Sequence, residues 1–284
     1  MDYTQIFIVG AKGQLGLALQ AKYPAAKTAD MDELDITNQE SVKNFDWSGI
    51  KYIVNAAAFT NVDGAETAEG RIKAWQVNSS AVALLSQICA QNDITLVHIS
   101  TDYVFDGNTD PHTETESFSP LSVYGASKAA GDLVASLCPK HYLLRTSWVI
   151  GEGKNFVRTM LDLADRGINP SVVNDQIGRL TFTTTLASAI DHLLSSGAAY
   201  GTYNVSNDGD PSSWADITRK IYELAGKDNT VTNTTTAEYF AGKTGIATRP
   251  LKSTLELSKI KSTGFSPPDW LEDLKTYINK ELNS

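Results

Sequence analysis

Cysteine is nearly missing from this chain of 284 residues: there are two, Cys89 in an apolar helical stretch and Cys138 before Pro139. Two thiols make neither a disulfide framework nor a metal cluster, so both are expected to be reduced and structural. Histidine is scarce too. His98, His112, His141 and His192 are scattered without ligand-like spacing, so no metal is expected. No apolar run approaches the roughly 20 residues that span a bilayer, so no membrane partner is expected. Met1-Asp2-Tyr3-Thr4-Gln5 enters a short apolar strand without a basic segment or cleavage site, which points to a cytoplasmic location. Positive charge is also in deficit: 24 Lys and Arg against 33 Asp and Glu give 24 − 33 = −9. Such a balance gives no footing on phosphate backbones, which excludes nucleic acid as the expected partner; any anionic ligand must be held by a local site.

What is present is ordinary for a folded protein, with 42% hydrophobic and 20% charged residues and length for one large or two closely associated domains. Short apolar runs at Ile6–Val9, Tyr52–Val54, Leu96–Ile99 and Tyr142–Leu144 read as strands. Between them, Gln14–Lys22, Ala68–Ala90 and Tyr124–Leu137 carry helical periodicity. Strands alternating with helices predict an α/β fold, a Rossmann-like doubly wound parallel sheet with ligands beyond the carboxyl ends of its strands. After Val149 the pattern mixes helices (Phe156–Arg166, Thr184–Leu194, Trp214–Ala225) with short strands. We therefore expect residues 1–150 to form a dinucleotide-binding domain, rejoined by parts of 180–205. Residues 151–284 are expected to form mainly a smaller mixed α/β substrate-binding domain. Thr230–Thr236 reads as a surface loop.

The first strand runs directly into Gly10-Ala11-Lys12-Gly13-Gln14-Leu15-Gly16 and a helix. A nucleotide pyrophosphate needs a tight turn, a bare backbone and a helix N-terminus aimed at its charge, and this spacing supplies them. Asp30, twenty residues after Gly10, ends a candidate second strand, Lys27-Thr28-Ala29. A carboxylate there accepts from an adenosine ribose 2′-OH, whereas Lys12 in the turn suits a 2′-phosphate, so both NADH and NADPH stay open. Asp35-Ile36 is placed for adenine, although Asp35 reads equally well as a solvated turn residue. Ala56, Ala57 and Ala58 after the third strand would let a flat cofactor approach the backbone.

Tyr124 and Lys128 stand four apart at the start of a helix, on one face. A phenol with pKa about 10 is a poor acid, and a neighbouring ammonium together with an oxidised nicotinamide is expected to lower it toward the working range, making Tyr124 a proton donor. At the end of the fourth strand, Thr101 or Ser100 is expected to hydrogen-bond a substrate oxygen. His98, mid-strand, reads as a core or cofactor-packing residue.

Taken together, several stretches resemble the extended short-chain dehydrogenase/reductases, and within them the dTDP-4-dehydrorhamnose reductases. They are G-A-K-G-Q-L-G at 10–16, V-N-A-A-A-F-T-N-V-D at 54–63, H-I-S-T-D-Y-V-F-D-G at 98–107, S-P-L-S-V-Y-G-A-S-K at 119–128, R-T-S-W-V at 145–149, V-N-D-Q at 173–176 and R-P at 249–250. The resemblance implies reduction of a 4-keto sugar nucleotide with NADPH or NADH. It implies Tyr124 as proton donor, with Lys128 tuning it and holding the nicotinamide ribose. Thr101 and Asp102 would contact the sugar, and Trp148 would pack against it. Gly13, Gln14 and Leu15 would meet the pyrophosphate, and Asp30, Asp35, Ile36, Ala58, Phe59 and Thr60 would line the cofactor site. Arg249 would meet the substrate diphosphate or make a surface ion pair. Ala18 stands where some relatives carry a glutamate that binds magnesium between two subunits, so monomer and homodimer both stay open. At Gly178-Arg179-Leu180-Thr181 the chain departs from the small residue and proline of its relatives, and Arg179 would alter substrate contacts or reach solvent. A sugar-nucleotide epimerase and a silent regulatory subunit are the competing readings; a dehydratase would need a carboxylate pair after the threonine.

Overall fold

The computed structural model describes residues 1–283. All four residues of β1 (Ile6–Val9) are buried, as a parallel strand covered on both faces requires. Further strands are β2 (Lys27–Ala29), β3 (Tyr52–Asn55), β4 (Thr95–Thr101) and β5 (His141–Thr146). They are followed by the short pieces β6 (Val149–Ile150), β7 (Ser171–Val173), β8 (Ile177–Gly178) and β9 (Thr181–Phe182), then β10 (Gly201–Asn204), β11 (Ser212–Ser213) and β12 (Thr232–Thr234). Six strands form one sheet, in the order β10-β5-β4-β3-β1-β2, with every pairing parallel. The chain grows from β1 to β2 on one side and from β3 onward on the other, so a crevice opens above the carboxyl ends near β1 and β3.

Alternation along β1 divides the core. Ile6 and Ile8 face Leu15 and Leu19 of α1 (Gln14–Lys22). Phe7 and Val9 face the opposite layer, which includes α2 (Gln39–Asn44) and α4 (Ala81–Gln91). Cys89 and Cys138 are both free and buried in that second layer. A separate core joins α6 (Phe156–Asp165), α8 (Trp214–Ala225) and α11 (Trp270–Leu282), with Val157, Leu161, Ile217, Ile221 and Leu274 at its centre.

Two segments differ from the sequence expectation. The helix expected over 68–90 is α3 (Ala68–Trp75) and α4 joined by a wide turn at Gln76–Ser80. Buried Asn78 explains the break: its side chain accepts from Phe59 N at 2.8 Å and donates to Phe59 O at 3.1 Å and Ser127 Oγ at 3.0 Å. The expected loop over 230–236 contains β12, which pairs with β7, and then the capped start of α9 (Thr236–Phe240). The segment 106–117 is fastened down. His112 N donates to Thr254 O at 2.9 Å, and Arg145 Nη1 donates to Glu114 O at 3.0 Å. Of the short strands after 150, β7 pairs with β12, while β10 returns to the main sheet beside β5.

Candidate active site

The turn after β1 is shaped by two glycines, Gly10 and Gly16, that stand behind the lining of the cavity described below. Gly10 has φ +79°, and a Cβ there would sit 2.6 Å from Ala57 N. A Cβ on Gly16 would sit 2.2 Å from Gly10 O, so only glycine lets α1 (Gln14–Lys22) press this closely on the turn. Gly13 caps α1 and offers no side chain to the helix's first N–H groups, which leaves them for an anion. Gly13, Gln14 and Leu15 line a cavity of about 720 Å³ above the sheet.

Across the same cavity stands the head of α5 (Val123–Ala135). Ser122 caps it by accepting from Gly125 N at 3.1 Å. A Cβ on Gly125 would lie 2.2 Å from Tyr103 O, so the first turn of α5 lies against the end of β4. That contact brings Tyr124 beside Thr101, with the Tyr103 and Tyr124 ring centroids 5.5 Å apart. Thr101, Asp102, Tyr124 and Lys128 all line the cavity.

Electrostatics at Tyr124 run opposite to the sequence expectation. Burial pushes its phenol well above the usual value, with the Thr101 hydroxyl pulling the other way. Lys128 spends its ammonium elsewhere: Nζ donates to Ile99 O at 2.6 Å. Burial lowers Lys128 to about 8, against the pull of Asp132. Desolvation therefore dominates in the unliganded site, and the phenol is held protonated. Asp102 is buried and pushed up to about 6 by desolvation, opposed by the hydroxyls of Ser253 and Thr101. His98 is fully buried, its Nδ1 3.2 Å from Asn55 Nδ2, and burial keeps it neutral.

Ala56, Ala58, Thr60 and Trp148 also line the cavity, whereas Ala57 packs into the core and Phe59 packs near Tyr124. Asp30, Asp35 and Ile36 lie off it. Asp30 is tied to the glycine turn, accepting from Lys12 N at 2.9 Å. Asp35 accepts from Thr37 N at 2.9 Å, and Ile36 is in the core. Arg249 is held away from the cavity by Asp63 at 2.9 Å, its guanidinium over the Phe240 ring. Arg179 donates to Leu255 O at 3.2 Å.

Sequence reasoning missed Trp214, which lines the cavity and stacks on Trp148 with centroids 3.8 Å apart. Trp148 adopts φ +46°, and a Cβ on Gly178 would lie 3.0 Å from its ring. Nothing local flagged Trp214, because it comes from α8 in the other core. Gln14 Oε1, Thr146 Oγ1 and Ser147 Oγ are buried and lack a protein partner while lining the cavity. Buried polar atoms are seldom left so, and the hydroxyls and amide of a nicotinamide nucleotide and a sugar would satisfy them. With the bare turn, these residues fit such a cofactor.

The fold is the Rossmann-like architecture of the short-chain dehydrogenase/reductases. More particularly, the chain belongs to the family described as the RmlD substrate binding domain, whose model matches residues 4–283. It is 38% identical to a dTDP-4-dehydrorhamnose reductase of Aggregatibacter actinomycetemcomitans, over 96% of this chain and 97% of that protein. Among solved structures it is similar to a dTDP-4-dehydrorhamnose reductase from Clostridium acetobutylicum, with TM-score 0.90, 35% identity and coverage of 98% and 99%. It is also similar to one from Bacillus anthracis in complex with NADP, with TM-score 0.88, 34% identity and coverage of 97% and 98%.

Proposed function

We propose that this chain is an NAD(P)H-dependent reductase of a sugar nucleotide, converting the 4-keto group of dTDP-4-dehydro-6-deoxy-L-mannose to the alcohol of dTDP-L-rhamnose. The observation that carries this reading is the shared cavity: a glycine turn suited to a dinucleotide lines one wall, and Tyr124 with Thr101 lines the other. Its relatives named for the same reduction support it.

The nicotinamide cofactor, when bound, supplies hydride to the carbonyl carbon. The chain's own residues do the rest. Tyr124 holds a proton at Oη, kept there by burial, and delivers it to the C4 oxygen as negative charge develops. Thr101 orients that oxygen, its hydroxyl now donating to Asp102 Oδ1 at 3.1 Å and available to turn toward substrate. Lys128, lowered to about 8 and so still mainly charged at neutral pH, is held in that form beside an anionic ligand and favours the phenolate that Tyr124 becomes. Trp148 forms a flat wall for the sugar. Gly13, Gln14 and Leu15 hold the cofactor diphosphate, and an adenosine ribose that extends past the cavity over the glycine turn would reach Asp30.

In this reading residues 1–150, rejoined by β10, hold the cofactor, and 151–284 mainly hold the sugar nucleotide. Among the described residues no helix is long and apolar enough to cross a membrane. The enzyme would work in the cytoplasm as a monomer or homodimer. Incubation with the keto sugar nucleotide and cofactor deuterated at C4 tests the function. Deuterium is expected at C4 of the product sugar; cofactor binding without label transfer would instead mark a silent regulatory subunit.

A further inference from the structure

Both ligands of the proposed reaction carry a diphosphate, yet the chain has an overall charge of −9. The N–H groups at the head of α1 meet part of one diphosphate, and a local cation would neutralise charge that they leave. Among the described residues, three lysines and no arginine line the cavity. Lys12 is paired with Asp32 at 2.7 Å, and Lys128 is buried with its Nζ on Ile99 O. Lys154 is exposed and, among the described residues, has no partner.

Its neighbourhood explains why. The nearest acid in sequence, Glu152, also lines the cavity but is occupied by Arg158 at 2.7 Å and by Lys280. Arg158 in turn grips Glu281 at 2.7 Å and donates to Gly153 O at 2.9 Å. Asn155 caps α6 by accepting from Arg158 N at 3.0 Å, and its amide donates to Gly151 O at 2.8 Å. The loop 151–155 is thus fixed at both ends. It lies against the glycine turn, since a Cβ on Gly151 would be 3.1 Å from Gln14 Cβ. A rigid loop has its acid neutralised and its lysine left over at the mouth of an anion-binding cavity.

We propose that Lys154 binds a diphosphate in this cavity, as the cation supplied from the second half of the chain. The proposal rests on the reductase reading and deepens it. Two sources share this chemistry, the dinucleotide cofactor and the sugar nucleotide. A lysine suits either as a mobile point charge rather than a bidentate fork.

Calorimetric titration of the unliganded protein with NADH, and separately with thymidine 5′-diphosphate, tests it without turnover. Lys154→Ala is expected to weaken one of the two about tenfold, the loss of a charge-assisted hydrogen bond, and to flatten that ligand's salt dependence. Lys154→Arg is expected to recover most of the loss. Weakened NADH binding assigns the lysine to the cofactor diphosphate, and weakened thymidine diphosphate binding assigns it to the substrate's. Unchanged affinity and unchanged salt dependence for both ligands overturns the proposal. If the wild-type chain binds neither ligand, the reductase reading falls and this inference falls with it. Because Lys154 is exposed, the variants are expected to unfold at the wild-type midpoint, and that is checked alongside.

Discussion

Replacing Lys128 by methionine keeps the length of the side chain and removes its charge, and the consequence for stability has a definite sign. The folded protein lowers this ammonium from its ordinary 10.5 to about 8, chiefly by burial. At about 1.36 kcal/mol per pH unit, carrying the charge costs the folded state about 3 kcal/mol at pH 7. Between pH 8 and pH 10.5 the unfolded chain binds the proton that the folded chain has released. Stability from this group therefore rises with pH across that window. The methionine variant lacks the contribution. It also leaves the Ile99 carbonyl without its donor, but that loss is the same at every pH and cancels in the comparison. Urea unfolding of both unliganded proteins is expected to show wild type gaining about 2–3 kcal/mol on Lys128→Met between pH 7 and pH 10. A constant difference, or one that moves the other way, would refute the argument that desolvation governs this lysine.

Tyr124→Phe is expected to lower kcat by about 10²–10⁴-fold while NADH still binds; near-normal turnover would remove the phenol from the proton-donor role. Asp102, raised from 3.8 to about 6, keeps its proton in the folded state where the unfolded chain has lost it, so its contribution to stability declines as pH rises through that range. Compared with Asp102→Asn by urea unfolding, wild type should lose about 2 kcal/mol from pH 4 to pH 7. Lys12 is drawn to Asp32, with Asp30 and Glu33 also near, so a 2′-phosphate meets net negative charge and kcat/KM should favour NADH over NADPH. Asp32→Ala should release Lys12 and shift that ratio toward NADPH in steady-state assays. An unchanged ratio would mean that the pair does not read the ribose.

The parts of the molecule legible in its sequence are those set by local pattern. Ile6–Val9, Gln14–Lys22 and Lys27–Ala29 have the bounds read from apolar runs and glycines, because turn geometry and strand burial act over a few residues. The meeting of Tyr124 with Thr101 followed from strand order, which directs carboxyl ends to one crevice. What escaped depended on distant packing. Trp214 reaches Trp148 from another core, and the break at Gln76–Ser80 exists because Asn78 is pulled toward Phe59 and Ser127. In the unliganded site the acidity of Tyr124 runs the other way, since residue spacing registers a neighbouring charge but not how dry its surroundings are. Thr235 and Glu238 form a reciprocal cap, a local signal legible as T-x-x-E at the start of α9.

The return of β10 to the main sheet ties synthesis order to integrity. Its Asn204 N reaches Glu114, and Val205 N donates to Arg145 O, so the outer flank of β5 is closed only by chain made some sixty residues later. Until then a nascent chain exposes a buried, apolar strand with unpaired amides, the kind of flank that recruits a neighbour. Excising the first half as a minimal nucleotide module would create that hazard permanently, so the two halves are expected to evolve and be engineered as one inseparable unit.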